Sequence, residues 1–262
     1  MSVAILAIIF TLVLVIGIHE AGHALVAWLF GIKIKRIAIG FGKPLLHWRS
    51  HSGCEWVLGM WFIGGYVQLN NTRISPVKTD EYSTCFDKKP VWQRILVLLA
   101  GAAANLLTAC CAFTLVYYVG IEYRIPQIQT VELNSIAAKA GLKPQEQWVN
   151  IGGQRTDSWE EVGQELIINW GSANIPISIK AADGQMKQST IDLSLIQFSS
   201  NAHSLLNSIG ISPNKTAIKH KIQASSLLQA ADKALGKIGN LISSLLLILK
   251  QVILGIIPFS VL

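Results

Sequence analysis

Two histidines and a glutamate, His19-Glu20-Ala21-Gly22-His23, interrupt an otherwise apolar run from Val3 to Ile32. A helix of about 20 apolar residues already crosses a hydrocarbon core of about 30 Å. An ionisable side chain at that depth costs at least about 2.5 kcal/mol, so three of them within one helical turn require a metal or a water-filled cavity. Positions four apart on a helix are stacked neighbours. His19 and His23 are therefore expected to aim two imidazole nitrogens at one metal ion, with Glu20 beside them as the base that deprotonates a metal-bound water. Zinc is the expected ion, because it takes neutral imidazole readily and keeps an open position for water at catalytic sites.

The rest of the composition agrees with a membrane setting. Of 262 residues, 51% are hydrophobic and only 14% charged, which is too apolar for an ordinary soluble domain. A second run, Ile95 to Ile121, is also long enough to span. The first run lacks a basic start and a small-residue cleavage site, so it is not read as a signal peptide. Net charge is +7, and the cations Lys33, Lys35, Arg36, Lys43, Arg49, Arg73, Lys78, Lys88, Lys89 and Arg94 fall between the two runs. That bias predicts a cytoplasmic connection, with both flanking segments on the other side. Tryptophans among these cations are read as interfacial anchors, and no nucleic-acid partner is expected. Of the four cysteines, Cys110 and Cys111 are adjacent in the second run and Cys54 and Cys85 lie in the connection; none has metal-site spacing.

These residues resemble the site-2 protease family of intramembrane zinc metalloproteases, in particular its bacterial RseP-type branch, whose first transmembrane helix carries this His-Glu-x-x-His motif. The resemblance implies that His19 and His23 are zinc ligands and Glu20 the catalytic base. Residues 1–32 are then transmembrane helix 1, and residues 33–90 a cytoplasmic loop with a membrane-associated β-hairpin. Within that loop, Val57 to Val67 is too short and glycine-interrupted to span as a helix. It is expected to form a strand pair dipping into the bilayer, with Gly64, Gly65, Tyr66 and Val67 holding an extended substrate by β-augmentation. His47 and His51 are read as solvated loop residues. Residues 91–121 form transmembrane helix 2, in which Ala100-Gly101-Ala102-Ala103-Ala104-Asn105 allows close helix approach. The family has a similar stretch, with proline where Ala102 stands, and Asn105 is expected to orient the site or the substrate backbone.

Residues 126–198 change character to a soluble α+β module. Ile128 to Val131 and Ile175 to Ile179 alternate like strands, Ile151-Gly152-Gly153-Gln154 reads as a turn, and Ser158 N-caps a helix to Ile168. The run from Val131 to Leu142 resembles the opening of PDZ domains, with Gln145-Glu146-Gln147-Trp148 in place of the usual glycine-aspartate. Its groove is a candidate site for a peptide or protein ligand. Residues 222–262 are expected to form an amphipathic surface helix whose polar stripe is Lys233, Lys237, Asn240, Ser244 and Gln251, with Lys237 and Lys250 reaching lipid headgroups. A third span over 241–262 is the alternative.

The fold class expected is thus an α-helical membrane protein with an inserted PDZ-like domain. The resemblance implies a multi-pass protein of the bacterial inner membrane, its PDZ-like domain periplasmic, that cleaves a peptide bond in or near the transmembrane segment of a single-span membrane protein. The leucine-aspartate-glycine motif that supplies the family's third zinc ligand does not occur before Leu262. The alternative expectation is therefore a catalytically incomplete membrane-bound PDZ adaptor.

Overall fold

The computed structural model describes residues 2–51, 53–194 and 205–255, so residues 195–198 and 256–262 of the predicted PDZ-like and surface-helix regions lie outside the described residues. The chain divides into two compact units, residues 1–111 and 112–262. Three helices among the described residues are long and apolar enough to cross a membrane: α1 (Ser2–Leu29), α2 (Val91–Val119) and a C-terminal helix, Leu227–Ile253. The third adds to the two spans expected from sequence by length and composition.

In the first unit, α1 is followed by two long antiparallel strands, β1 (Ile34–Arg49) and β2 (Glu55–Leu69). They extend well beyond the expected Val57–Val67 pair, because the glycines bend the strands without ending them. His47 lies on β1 opposite Val57, which corrects its reading as a loop residue, and His51 sits in the turn. The hairpin is folded over on itself. Residues 36–39 pair with Tyr66, Val67 and their neighbours on one side and with Glu55 to Leu58 on the other, so the first half of β1 is central and the stretch from Gly65 to Leu69 is an outer edge. Gly40 makes the fold possible: its φ is +82°, and a Cβ there would lie 2.7 Å from the Trp61 carbonyl oxygen. Arg36 clamps the hairpin through Glu55 at 2.6 Å. A polar connector with two short 3-10 turns, Thr79–Thr84 and Phe86–Lys88, leads to α2.

The second unit begins within α2. After it come β3 (Ile121–Arg124), β4 (Ile128–Val131), α3 (Ile136–Lys139), β5 (Gln147–Ile151), β6 (Gln154–Arg155), α4 (Trp159–Ile168), β7 (Ile175–Lys180) and β8 (Met186–Ile191). The described chain ends with α5 (Leu205–Ser208), β9 (Ile211–Pro213), β10 (Lys219–Ile222) and α6, the C-terminal helix. β6-β5-β7-β8 form a four-stranded sheet, while β4 pairs with β9 and β3 with β10. Trp148, Ile151, Leu166, Ile177, Ile179 and Ile191 are fully buried and make the core. Ser158 caps α4 by accepting the Glu161 N–H at 3.3 Å, as its place before an amphipathic run predicts.

α6 does not carry its polar stripe toward lipid as expected. Lys237 bonds Glu161 of α4 at 2.7 Å, Ser244 is buried, and the Gln251 side-chain amide donates to the Ile168 carbonyl. The opposite face, with Leu228, Leu235, Leu245 and Leu249, is exposed. Lys237, Ser244 and Gln251 of the stripe thus face protein, Lys237 as an ion-pair partner, while Asn240 is exposed.

Gln145 occupies a left-handed conformation, φ +69°. Glu146, 5% exposed, accepts the Lys143 N–H at 2.8 Å. A non-glycine residue in that region costs about 1–2 kcal/mol, of which glycine's greater unfolded-state entropy takes back about 0.4–1 kcal/mol, so Gln145→Gly is expected to stabilise the chain by up to about 1 kcal/mol. Denaturant melts of the full chain followed by circular dichroism check this, with Gln145→Val expected to destabilise.

Candidate metal centre and substrate groove

α1 supplies His19, Glu20 and His23, and α2 supplies the surface they lie against. The two Nε2 atoms of His19 and His23 converge to 3.2 Å. Two nitrogens held at about 2.0–2.1 Å by a tetrahedral zinc lie about 3.3–3.4 Å apart, so this pair fits as two ligands of such an ion. His23 Nδ1 bonds the Val97 carbonyl oxygen at 2.6 Å. A carbonyl only accepts, so the proton is on Nδ1 and Nε2 presents its lone pair. His19 Nδ1 faces the side-chain amide of Asn105 at 3.4 Å. An amide end that accepts fixes His19 in the same tautomer, whereas an end that donates moves the proton to Nε2.

Two glycines make the crossing tight. A Cβ on Gly22 would lie 2.5 Å from the Ala100 carbonyl oxygen and 2.7 Å from Cβ of Ala104. A Cβ on Gly101 would lie 2.7 and 2.8 Å from Cε1 and Nε2 of His19 and closer still to Nε2 of His23. Gly101 therefore vacates the volume that both imidazoles occupy. Sequence reasoning saw its small neighbours only as helix-packing residues. Its role at the histidines had no signal in the spacing of α1.

Glu20 is 6% exposed and packs beneath the hairpin: a Cβ on Gly65 would lie 2.9 Å from its Cγ. Beside it runs a groove of about 690 Å³, walled by Gly65 to Leu69 on one side and by Val97 and Leu98 on the other, and lined also by Glu20 and His23. The Asn70 N–H donates to the Lys33 carbonyl at 2.8 Å. Strand alternation then turns the backbone groups of Gln68 and Tyr66 toward β1 and those of Val67 and Leu69 toward the groove. Of the expected substrate residues, Gly65, Tyr66 and Val67 line this groove, while Gly64 sits over the Phe41 ring and Asn105 lies at His19. Among the described residues no group of three His, Cys, Asp or Glu side chains is placed to hold a metal together.

A helix-borne His-Glu-x-x-His site against a second apolar helix is the arrangement of a membrane metallopeptidase, and residues 7–262 match peptidase family M50, the site-2 protease family, to which this chain belongs. It is similar to the regulator of sigma E protease of Haemophilus influenzae, 32% identical over 233 residues that cover 88% of this chain and 53% of that protein. Similarity to the regulator of sigma-E protease RseP of Escherichia coli is 30% over 220 residues, 84% of this chain and 49% of the relative. A Vibrio cholerae protein named as a zinc metalloprotease is 31% identical over 239 residues, 90% and 52% of the two chains. The chain spans about half the length of the curated relatives it matches.

Gly101→Ala is expected to lower zinc affinity about 10–100-fold, the range seen when the surroundings of metal ligands are disturbed, while Ala102→Gly leaves it unchanged. Cobalt(II) titration of the purified chain, read from its visible d–d absorption, separates the two.

Proposed function

We propose that this chain carries the proton-transfer and substrate-holding parts of an intramembrane zinc metalloprotease that cleaves a peptide bond in or near the transmembrane segment of a single-span membrane protein. One observation carries the reading: the Nε2 atoms of His19 and His23 converge, and His23 and Glu20 line a groove bordered by an open strand edge. His19 and His23 would hold a zinc ion, which would supply polarisation of the scissile carbonyl and a lowered pKa for a water. Glu20 takes that water's proton and returns it to the leaving amine. The Val97 carbonyl holds His23 in the required tautomer, and Asn105 does the same for His19 when its amide oxygen faces Nδ1.

A peptide bond inside a helix is shielded, because its carbonyl is already bonded. The free backbone groups of Val67 and Leu69 offer a β-ladder to a substrate that has been drawn out straight. The far part of the hairpin, where Phe41, Leu46, Trp48, Trp61 and Ile63 are exposed, is read as the portion that dips into the bilayer. The cations between α1 and α2 support a cytoplasmic position for that connection, with residues 126–198 as a PDZ-like module on the periplasmic side of the bacterial inner membrane. Docking of the polar face of α6 on α4 leaves an apolar face outward, which supports the surface-helix reading.

In a protein that contains this chain and cleaves a transmembrane reporter, Glu20→Gln is expected to keep zinc and lose at least about 10²-fold in cleavage. His19→Ala and His23→Ala are expected to lose zinc and cleavage together. Metal analysis beside a reporter assay decides, and full activity in Glu20→Gln overturns the mechanism.

Val67→Pro removes a donor from the open edge and adds bulk to it. Reporter cleavage is expected to fall while zinc content and the thermal melt are kept. Unchanged cleavage would mean that substrates are held elsewhere.

A further inference from the structure

A second cavity, of about 580 Å³, lies wholly within the second unit at the C-terminal end of α2. Its apolar wall is Phe113, Val116 and Tyr117, the last two turns of that helix, continued by Ile121 and Ile222 of the β3–β10 ribbon. Its other wall is polar and carries both signs of charge. Arg124, Lys215 and Glu160 line it, and none of the three has an ion-pair partner among the described residues. The remaining acids there are already engaged: Glu122 with Lys219 at 3.2 Å, Asp157 with Arg155 at 2.9 Å and Glu161 with Lys237 at 2.7 Å. Trp159 also lines the cavity, and its indole N–H is buried without an acceptor among the described residues. A buried donor left without an acceptor costs about 1–3 kcal/mol.

We propose that this cavity is a binding site for a glycerophospholipid whose headgroup carries a primary ammonium, as in phosphatidylethanolamine. The inference rests on α2 crossing the membrane and is independent of the protease reading. The apolar wall belongs to a helix whose surroundings at that depth are acyl chains, so a lipid is already present where the cavity opens. Arg124 and Lys215 match a phosphate, Glu160 matches an ammonium, and the Trp159 N–H is supplied with a phosphate or ester oxygen. An anionic lipid without the ammonium would leave Glu160 facing phosphate. A free phosphate would leave Phe113 and Val116 uncovered.

The test uses the full chain in nanodiscs of equal parts phosphatidylethanolamine, phosphatidylglycerol and phosphatidylcholine, ejected for native mass spectrometry. One phosphatidylethanolamine per chain is expected to be retained. The double variant Arg124→Glu, Lys215→Glu is expected to lower that retention about tenfold, the change expected for losing a charge-assisted contact. Glu160→Gln is expected to retain lipid but lose the preference for ethanolamine over choline. Circular dichroism shows whether each variant is folded. Should the double variant fail that check, the wild type decides by quenching: acyl-brominated phosphatidylethanolamine is expected to quench a tryptophan component that Trp159→Phe removes. The proposal is overturned by retention of no lipid or of detergent only, by preference for phosphatidylglycerol, by undiminished retention in a folded double variant, or by quenching that Trp159→Phe leaves undiminished.

Discussion

The site depends on one bond between helices, from His23 Nδ1 to the Val97 carbonyl oxygen. In a helix that oxygen already accepts the N–H of the residue four places on, which is Gly101. Its second lone pair is reachable only because Gly101 has no side chain. The same glycine therefore donates to the carbonyl, opens the path to it and leaves room for both imidazoles. In surroundings as apolar as α1 and α2, an imidazole without a partner would be costly. The crossing at Gly22 and Gly101 is what makes two histidines tolerable there and fixes which nitrogen each presents.

The folded-over hairpin solves a different problem. A sheet beside a membrane site needs one open edge for an extended ligand, but open edges pair indiscriminately. Here the first half of β1 is covered on both sides, and the edge that stays open toward the groove is short, from Gly65 to Leu69. It is hemmed in by α2 and rests on α1 through Gly65. An aggregating strand therefore finds little length to pair with.

Much of this was legible because it rests on local chemistry. The His-Glu-x-x-His spacing, the two apolar runs, the Ser158 cap and the Ile128–Val131 and Ile175–Lys180 strands all follow from residue type and period. What was not legible depends on which surfaces meet. Nothing in α1 announces that Gly101 lies against its histidines, and nothing around Val67 announces that the chain folds back to place residues 36–39 between two partners. The polar stripe of α6 is the clearest case: periodicity separates a polar face from an apolar one but does not say whether water, lipid headgroups or α4 meets it. The stripe alone predicts headgroups for Lys237, which instead bonds Glu161. His47 differs for a related reason: a pattern that is not helical does not tell a loop from a strand, and Gly40 and Gly42 bend a strand that goes on.

Asn105 shows how a single amide can tie readiness for metal to the packing of two helices. With its oxygen toward His19, Nδ1 donates, and both Nε2 lone pairs point into the 3.2 Å gap; such a pair repels unless a cation lies between. With its nitrogen toward His19, the proton moves to Nε2, which then donates to His23 across the same gap. The two arrangements differ by a rotation of one side chain and the position of one proton, with no movement of either helix. His23 has no such choice, because a backbone carbonyl cannot turn round. One ligand is thus set permanently by Val97 while the other is set by an amide that can rotate, so the scaffold can satisfy the same two histidines by a direct hydrogen bond or by an ion without repacking the crossing that holds them.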